Sequence, residues 1–255
     1  QIDTKAGVFR VMGREIKKGD VITVDGATGQ VMMGAVEMRQ PDLSGDFGLL
    51  MSWADKVRTL KVRANAETPL DTRTAVEFGA EGVGLCRTEH MFLDLERLPS
   101  VRQMLLNAEA AEAWRQENND RVFRSENETD APQAVKDFYE ALDQVKELQT
   151  GDFSGILRVM GARPVIIRLL DAPLHEFLPP YESLLIELIE LRHADAPVEE
   201  LEEKDNFLHM VDSLRESNPM LGHRGCRLGL SFPAIYRMQV EAIITAGALV
   251  VKEGL

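Results

Sequence analysis

Residues 60–87 hold a strand, a helix and a second strand with almost no loop between them, and that spacing leaves few folds open. Leu60-Lys61-Val62-Arg63-Ala64-Asn65 reads as a short strand. Thr68-Pro69-Leu70-Asp71 then opens a helix: Thr68 is a natural N-cap, Pro69 fits the first turn and Asp71 complements the helix dipole. Gly79 closes that helix, and Gly82-Val83-Gly84-Leu85-Cys86-Arg87 returns as a buried strand. A strand, a crossover helix and a strand in so short a span predict a parallel pair.

The returning strand is expected to deliver Arg87, Thr88, Glu89 and His90 in succession. Two later stretches repeat the theme. Pro164-Val165-Ile166-Ile167-Arg168-Leu169-Leu170-Asp171 is an apolar run with one arginine, and Gly222-His223-Arg224-Gly225-Cys226-Arg227 sets two between glycines. A guanidinium inside or just after an apolar strand is costly unless it is paired. Its planar fork meets phosphate or carboxylate through two parallel hydrogen bonds, so three such places predict convergence on one anionic ligand. The competing reading is structural, each arginine bridging a nearby carboxylate such as Glu89 or Asp171. A net charge of −13 excludes a broad nucleic-acid face and repels anions at long range, so any anion site must be a local arginine pocket.

The rest of the chain sorts around these motifs. Residues 1–40 read as short strands at 7–11, 20–25 and 30–34, with Asp25 and Thr28 as turn formers. Residues 41–46 are a polar hinge and 47–57 a connecting helix anchored by Trp53. Residues 91–160 are expected to be mostly helical: one helix from Pro99 to about Trp114, a polar surface insertion at 115–130, a helix from Pro132 broken at Gly151, and a last one to Met160. A third strand spans 165–170, and helices cover 181–192, 195–214 and the stretch from Pro233. No apolar run approaches the length of a membrane span. Two cysteines, Cys86 and Cys226, fit a reducing, cytoplasmic setting, and no cluster has zinc-ligand spacing. A start at Gln1 and an end inside a helical run at Leu255 lead us to expect a piece of a longer protein. Four strand–helix units with charged residues at the strand ends fit an α/β fold, the first half of a (β/α)8 TIM-type barrel, whose sites lie at that end. No glycine-rich nucleotide motif is present.

Four stretches carry a resemblance. They are residues 60–69, residues 79–92, Arg168-Leu169-Leu170-Asp171 with Leu174-His175-Glu176-Phe177, and residues 218–227. Through them the chain resembles the phosphoenolpyruvate-utilising enzymes, and within that family the pyruvate, phosphate dikinases, over nearly its whole length. The arginine–threonine–glutamate core is shared with phosphoenolpyruvate synthases and enzyme I of the sugar phosphotransferase system; the Cys86 and His90 flanks resemble the dikinases. The family's aspartate-proline-proline step stands here as Asp171-Ala172-Pro173.

The resemblance implies that residues 1–40 end a swivelling phosphohistidine domain, 41–59 form a helical linker, and 60–255 form the N-terminal half of a barrel that binds pyruvate or phosphoenolpyruvate. It implies that Arg87 and Arg168 clamp the transferring phosphoryl group and that Arg224 helps bind substrate. Thr88, Glu89 and Asp171 would support them, with Arg63 and Asn65 on the same strand ends. Mg2+ is the implied cofactor, with ligands downstream of this stretch and none within it. Pyruvate or phosphoenolpyruvate and the phosphohistidine and nucleotide domains are the implied partners, in a homo-oligomer, with no nucleic acid and no membrane. The stretch alone would be inactive. The competing functions are a piece of a phosphoenolpyruvate synthase and a non-catalytic phosphoenolpyruvate-binding half-barrel. His90, His175 and His223 are expected to make structural hydrogen bonds.

Overall fold

The computed structural model describes residues 2–38 except 5, 44–118 except 95, 130–213 except 195, 218, and 221–255. They form two units, Gln1–Arg58 and Thr59–Leu255.

In the first unit, β1 (Ile2–Asp3), β2 (Val8–Val11) and β3 (Arg14–Lys17) make an antiparallel sheet in that order, and β4 (Ile22–Asp25) and β5 (Gln30–Met33) make a hairpin. β1 and β3 escape the sequence reading. β1 has two residues, and β3 buries only Ile16, so neither shows a usable alternation. Asp25 does turn work: it accepts from Ala27 N at 2.9 Å and from Thr28 Oγ1 at 2.7 Å. The Thr28 hydroxyl and the two backbone donors hold its carboxyl below the usual range. The helix α1 (Gly45–Val57) buries none of its residues, Trp53 included.

The second unit is mixed α/β. β6 (Ala64–Asn65), β7 (Val83–Arg87) and β8 (Val165–Arg168) form a parallel sheet in that order. The helix α2 (Pro69–Glu77) makes the first crossover; Thr68 Oγ1 accepts from Asp71 N at 3.1 Å, and Gly79 sits at φ +87° beyond its end. The long strand read at 60–65 shrinks to two residues. β7 ends at Arg87, and Thr88, Glu89 and His90 belong to a one-turn helix α3 (Thr88–Phe92) instead of the strand. Three parallel strands stand among the described residues where four strand–helix units were read.

Helices pack against this sheet: Val83 and Cys86 share one apolar cluster with Phe153, Ile156, Met160, Ala242 and Ala246. The expected helix from Pro99 is two, α4 (Leu98–Leu106) and α5 (Ala108–Glu117), because Asn107 turns its amide back to Gln103 O at 2.8 Å. Of the polar insertion, residues 119–129 lie outside the described residues. The helix α6 (Gln133–Met160) runs unbroken through Gly151. Its buried stripe of Val135, Phe138, Leu142, Val145, Phe153, Ile156 and Met160 outweighs a glycine cost of about 1 kcal/mol. α7 (Tyr181–His193) and α8 (Val198–Ser213) pack together around Leu184, Leu188, Leu208 and Val211. A short α9 (Cys226–Ser231) leads into α10 (Pro233–Lys252).

The structure corrects the hydropathy reading at α10, which is long and apolar enough to cross a membrane by length and composition. Its apolarity has a local use: Ile235, Met238, Ala242, Ala246 and Val250 are buried at helical spacing, and Ala242 and Ala246 join Phe153, Ile156 and Met160 of α6 in one cluster. Against the opposite end of α6, Phe138, Ala141 and Val145 pack with Val101 and Met104 of α4 and with Phe177. Arg97 ties the loop before α4 to Asp152 of α6 through both carboxylate oxygens.

α6 also approaches α2 closely at Gly155. A β-carbon on Gly155 would lie 2.6 Å from Pro69 Cγ. Gly155→Ala should therefore destabilise this unit by about 1–3 kcal/mol despite the better helix former. Urea unfolding followed by circular dichroism measures this; unchanged or higher stability would contradict the close packing of α2 on α6.

Candidate functional site

The site grows from strand ends. Arg87 and Arg168 are register partners on the adjacent parallel strands β7 and β8, so both end their strands at the same level of the sheet. Each then takes a different carboxylate. Arg87 Nε donates to Glu67 Oε1 at 2.6 Å, from the short loop between β6 and α2. That hydrogen bond pushes the Arg87 pKa above its ordinary value. Arg168 pairs through Nη2 with Glu89, which α3 brings back over the end of β8. Its Nη1 lies 3.6 Å from Asp171 Oδ2. Asp171 also accepts from Arg224: Nε reaches Oδ1 at 2.9 Å and Nη2 reaches the Asp171 carbonyl at 2.5 Å. The Asp171 hydrogen bond raises the Arg224 pKa. Thr88 Oγ1 donates to the Arg168 carbonyl at 3.0 Å.

Arg168, Asp171 and Arg224 line an open cleft of about 1010 Å³, with Arg227 and Tyr236 on its walls. Arg227 donates to the Leu221 carbonyl at 2.7 Å and is exposed. Gly225 makes the turn beside Asp171: it sits at φ +57°, and a β-carbon there would lie 3.0 Å from Asp171 Oδ1. Among the described residues three buried side-chain atoms lack hydrogen-bond partners: Glu89 Oε2 and Arg168 Nε here, and Gln149 Nε2 in the core. A guanidinium has five donors, so the Glu89 bond leaves Arg168 with capacity for an anion that neutral side chains could not match.

Other predicted residues stand apart. Asn65 and Arg63 are exposed near β6, and the Arg63 side chain overlies Gly82 and Gly84, within 3.3 Å of where their β-carbons would sit. His223 Nε2 lies 2.9 Å from Ser231 Oγ, in keeping with a structural bond. His90 is exposed, with no side-chain hydrogen bond among the described residues, and the side chain of His175 lies outside them. Among the described residues no group of three or more His, Cys, Asp or Glu side chains is placed to hold a metal ion, so no step is assigned here to one. Glu67 and Tyr236 were missed, and Arg227 was read only as the second arginine of the 222–227 stretch. Glu67 could have been suspected as an acid just past a strand end; Tyr236 has no local signal, since only the tertiary fold brings it to the cleft.

The match to known proteins follows the same residues. A family model described as PEP-utilising enzyme, PEP-binding domain, matches residues 41–253. The chain belongs to that family. It is 40% identical over 256 residues to a pyruvate, phosphate dikinase of Entamoeba histolytica, with all of this chain and 26% of that protein covered. It is 44% identical over 261 residues to one of Rhizobium meliloti, covering 99% of this chain and 25% of the other. A Clostridium symbiosum dikinase is 40% identical over 253 residues, again with 99% and 25% covered. The chain thus spans about a quarter of the length of these curated relatives.

The two thiols differ sharply. Cys86 is 0% exposed on β7, and burial first, then the charges of Glu67, Asp152 and Glu89, push its pKa up to about 12. Cys226 is exposed at the start of α9. At pH 8 a thiol reagent should titrate one cysteine in the native chain and two in denaturant. Rapid reaction of both without denaturant would contradict the burial of β7. The sign for stability is also set: the unfolded thiol ionises near pH 9 and the folded one near 12, so stability falls as pH rises through that window.

Proposed function

We propose that this chain is part of a pyruvate, phosphate dikinase and carries the arginine clamp of its pyruvate/phosphoenolpyruvate site. The observation that carries the reading is the pairing of strand-end arginines: Arg168, held by Glu89, is the register partner of Arg87, and Arg224, tied to Asp171, lines one cleft with Arg168. In this reading residues 60–255 are the first half of a (β/α)8 barrel, 41–59 a linker, and 1–40 the end of a phosphohistidine domain. The whole enzyme interconverts ATP, pyruvate and phosphate with AMP, phosphoenolpyruvate and pyrophosphate. In the step served here, the N–P bond of a phosphohistidine breaks and an O–P bond forms to the enolate oxygen of pyruvate.

Such a transfer spreads charge over the equatorial phosphoryl oxygens, and catalysis is mostly positioning and neutralisation. Arg87 and Arg168 supply fixed donors to those oxygens, and Arg224 holds the carboxylate or phosphate end. Glu67, Glu89 and Asp171 fix the forks in place before substrate arrives. Mg2+ would neutralise further charge, held by residues outside this stretch. The nucleotide and phosphohistidine domains are the partners, in a cytoplasmic homo-oligomer, and the stretch alone is inactive.

In the full-length dikinase, Arg87→Ala or Arg168→Ala should lower phosphoenolpyruvate turnover about 100-fold or more, the scale seen on removing one preorganised donor. ATP-driven phosphorylation of the histidine should persist, as followed with labelled ATP. Normal turnover in either variant overturns the clamp. Turnover without any need for inorganic phosphate would point to a synthase instead.

A further inference from the structure

Beyond Arg168 the β7–β8 ladder stops, since Arg87↔Arg168 is its last register pair. The backbone at 168–171 must then find other partners or leave buried polar groups unmet. Side chains take over. Thr88 Oγ1 donates to the Arg168 carbonyl, and Arg224 Nη2 donates to the Asp171 carbonyl. Between them, both peptide groups of Leu170, a residue 0% exposed, are claimed by α10. Leu170 N donates to Gln239 Oε1 at 2.8 Å, and Tyr236 Oη donates to the Leu170 carbonyl. The same hydroxyl lies 2.7 Å from the Gly225 carbonyl, next to Arg224. Its single proton is shared between the segment that ends β8 and the turn that carries Arg224.

We propose that Tyr236 and Gln239 are positioning residues for the arginine clamp: one turn of α10 grips Leu170 from both sides and sets the separation between Arg168–Asp171 and Arg224. This rests on reading those arginines as the anion site. Gln239 is 0% exposed, and its Nε2 donates to Gln149 Oε1 on α6 at 3.3 Å, so the amide is held in one orientation by the core. The tyrosine ring is held too. A β-carbon at Gly229 would come within 3.2 Å of it, so glycine there is what lets the ring lie against α9. Burial, with Asp171 next, pushes the phenol pKa up to about 12, and the hydroxyl stays a donor through the physiological range. Neither residue needs to touch substrate. A shift of about an ångström between guanidinium groups is enough to cost 100-fold in a positioned reaction.

The test uses the full-length dikinase with three variants. Tyr236→Phe removes the hydroxyl and keeps the ring. Arg168→Ala removes the clamp itself. Met238→Ala opens the α10 core without touching Leu170. We expect Tyr236→Phe to lower kcat/KM for phosphoenolpyruvate at least tenfold, with histidine phosphorylation by ATP unchanged and the melting temperature within a few degrees. Met238→Ala should lower the melting temperature more and kcat/KM less. The positioning role is overturned if Tyr236→Phe stays within twofold of the parent while Arg168→Ala is inactive. It is equally overturned if Tyr236→Phe and Met238→Ala lose activity in proportion to lost stability. Full activity in Arg168→Ala would overturn the clamp reading, and the positioning role with it. Because Gln239→Leu leaves Leu170 N and Gln149 Oε1 buried without partners and risks misfolding, the decision rests on Tyr236→Phe.

Discussion

A guanidinium at the buried end of a parallel strand has to be met by a carboxylate, and the Arg168–Glu89 pair is where this molecule meets that demand. The Glu89 side chain is only 10% exposed, so removing Arg168 would strand its carboxylate in poor solvent, while Arg168, at 36% exposure and near Asp171, would lose less on removal of Glu89. Much local architecture follows from it. β7 stops at Arg87 and turns at once into α3, because only a helical turn brings the residue two places on back over the neighbouring strand. The same turn places Thr88 on the Arg168 carbonyl. One change of backbone geometry thus orients a charge and satisfies a peptide group.

Several of these features were legible in the sequence. The cap at Thr68, the glycine at 79 and the apolar strands around them are local chemistry, and local chemistry reads well. Arg87, Arg168 and Arg224 stood out because charge in an apolar run is costly, and the structure does bring Arg168, Asp171 and Arg224 to one cleft. What was misread depends on neighbours far along the chain. Gly151 looks like a helix breaker until the stripe on either side of it is seen to be continuous and buried against α4 and α10. The end of β7 was hidden because Thr88 and Glu89 suit a strand end as well as a helix start. Tyr236 lies 66 residues from the carbonyl it serves, and no periodicity connects the two.

The membership of the PEP-utilising family and the geometry address different questions. Family membership covers residues 41–253 and says what kind of domain this is. The geometry says how the side chains are arranged: each of three arginines carries its own carboxylate, Glu67 for Arg87, Glu89 for Arg168 and Asp171 for Arg224. With cation and anion matched one to one, the cluster has little net attraction for a distant anion, and the chain as a whole is at −13. In the proposed reading recognition is therefore short-range, made by directed guanidinium donors in the cleft.

That arrangement has a consequence for pH. The carboxylate partners raise the pKa of Arg87 and Arg224 further above an already high value, so neither guanidinium changes charge in any ordinary buffer. The phenol of Tyr236 is pushed away from neutrality in the same direction, to about 12. Arg87, Arg224 and the Tyr236 hydroxyl thus each keep one protonation state in ordinary buffers. In the proposed reading such a clamp works by fixed geometry, and proton movement during phosphoryl transfer falls to the substrate and to groups outside these arginines. That division explains why a hydroxyl and an amide on α10 serve well as supports: both are neutral, both are directional, and neither adds a charge to a site whose balance is already set.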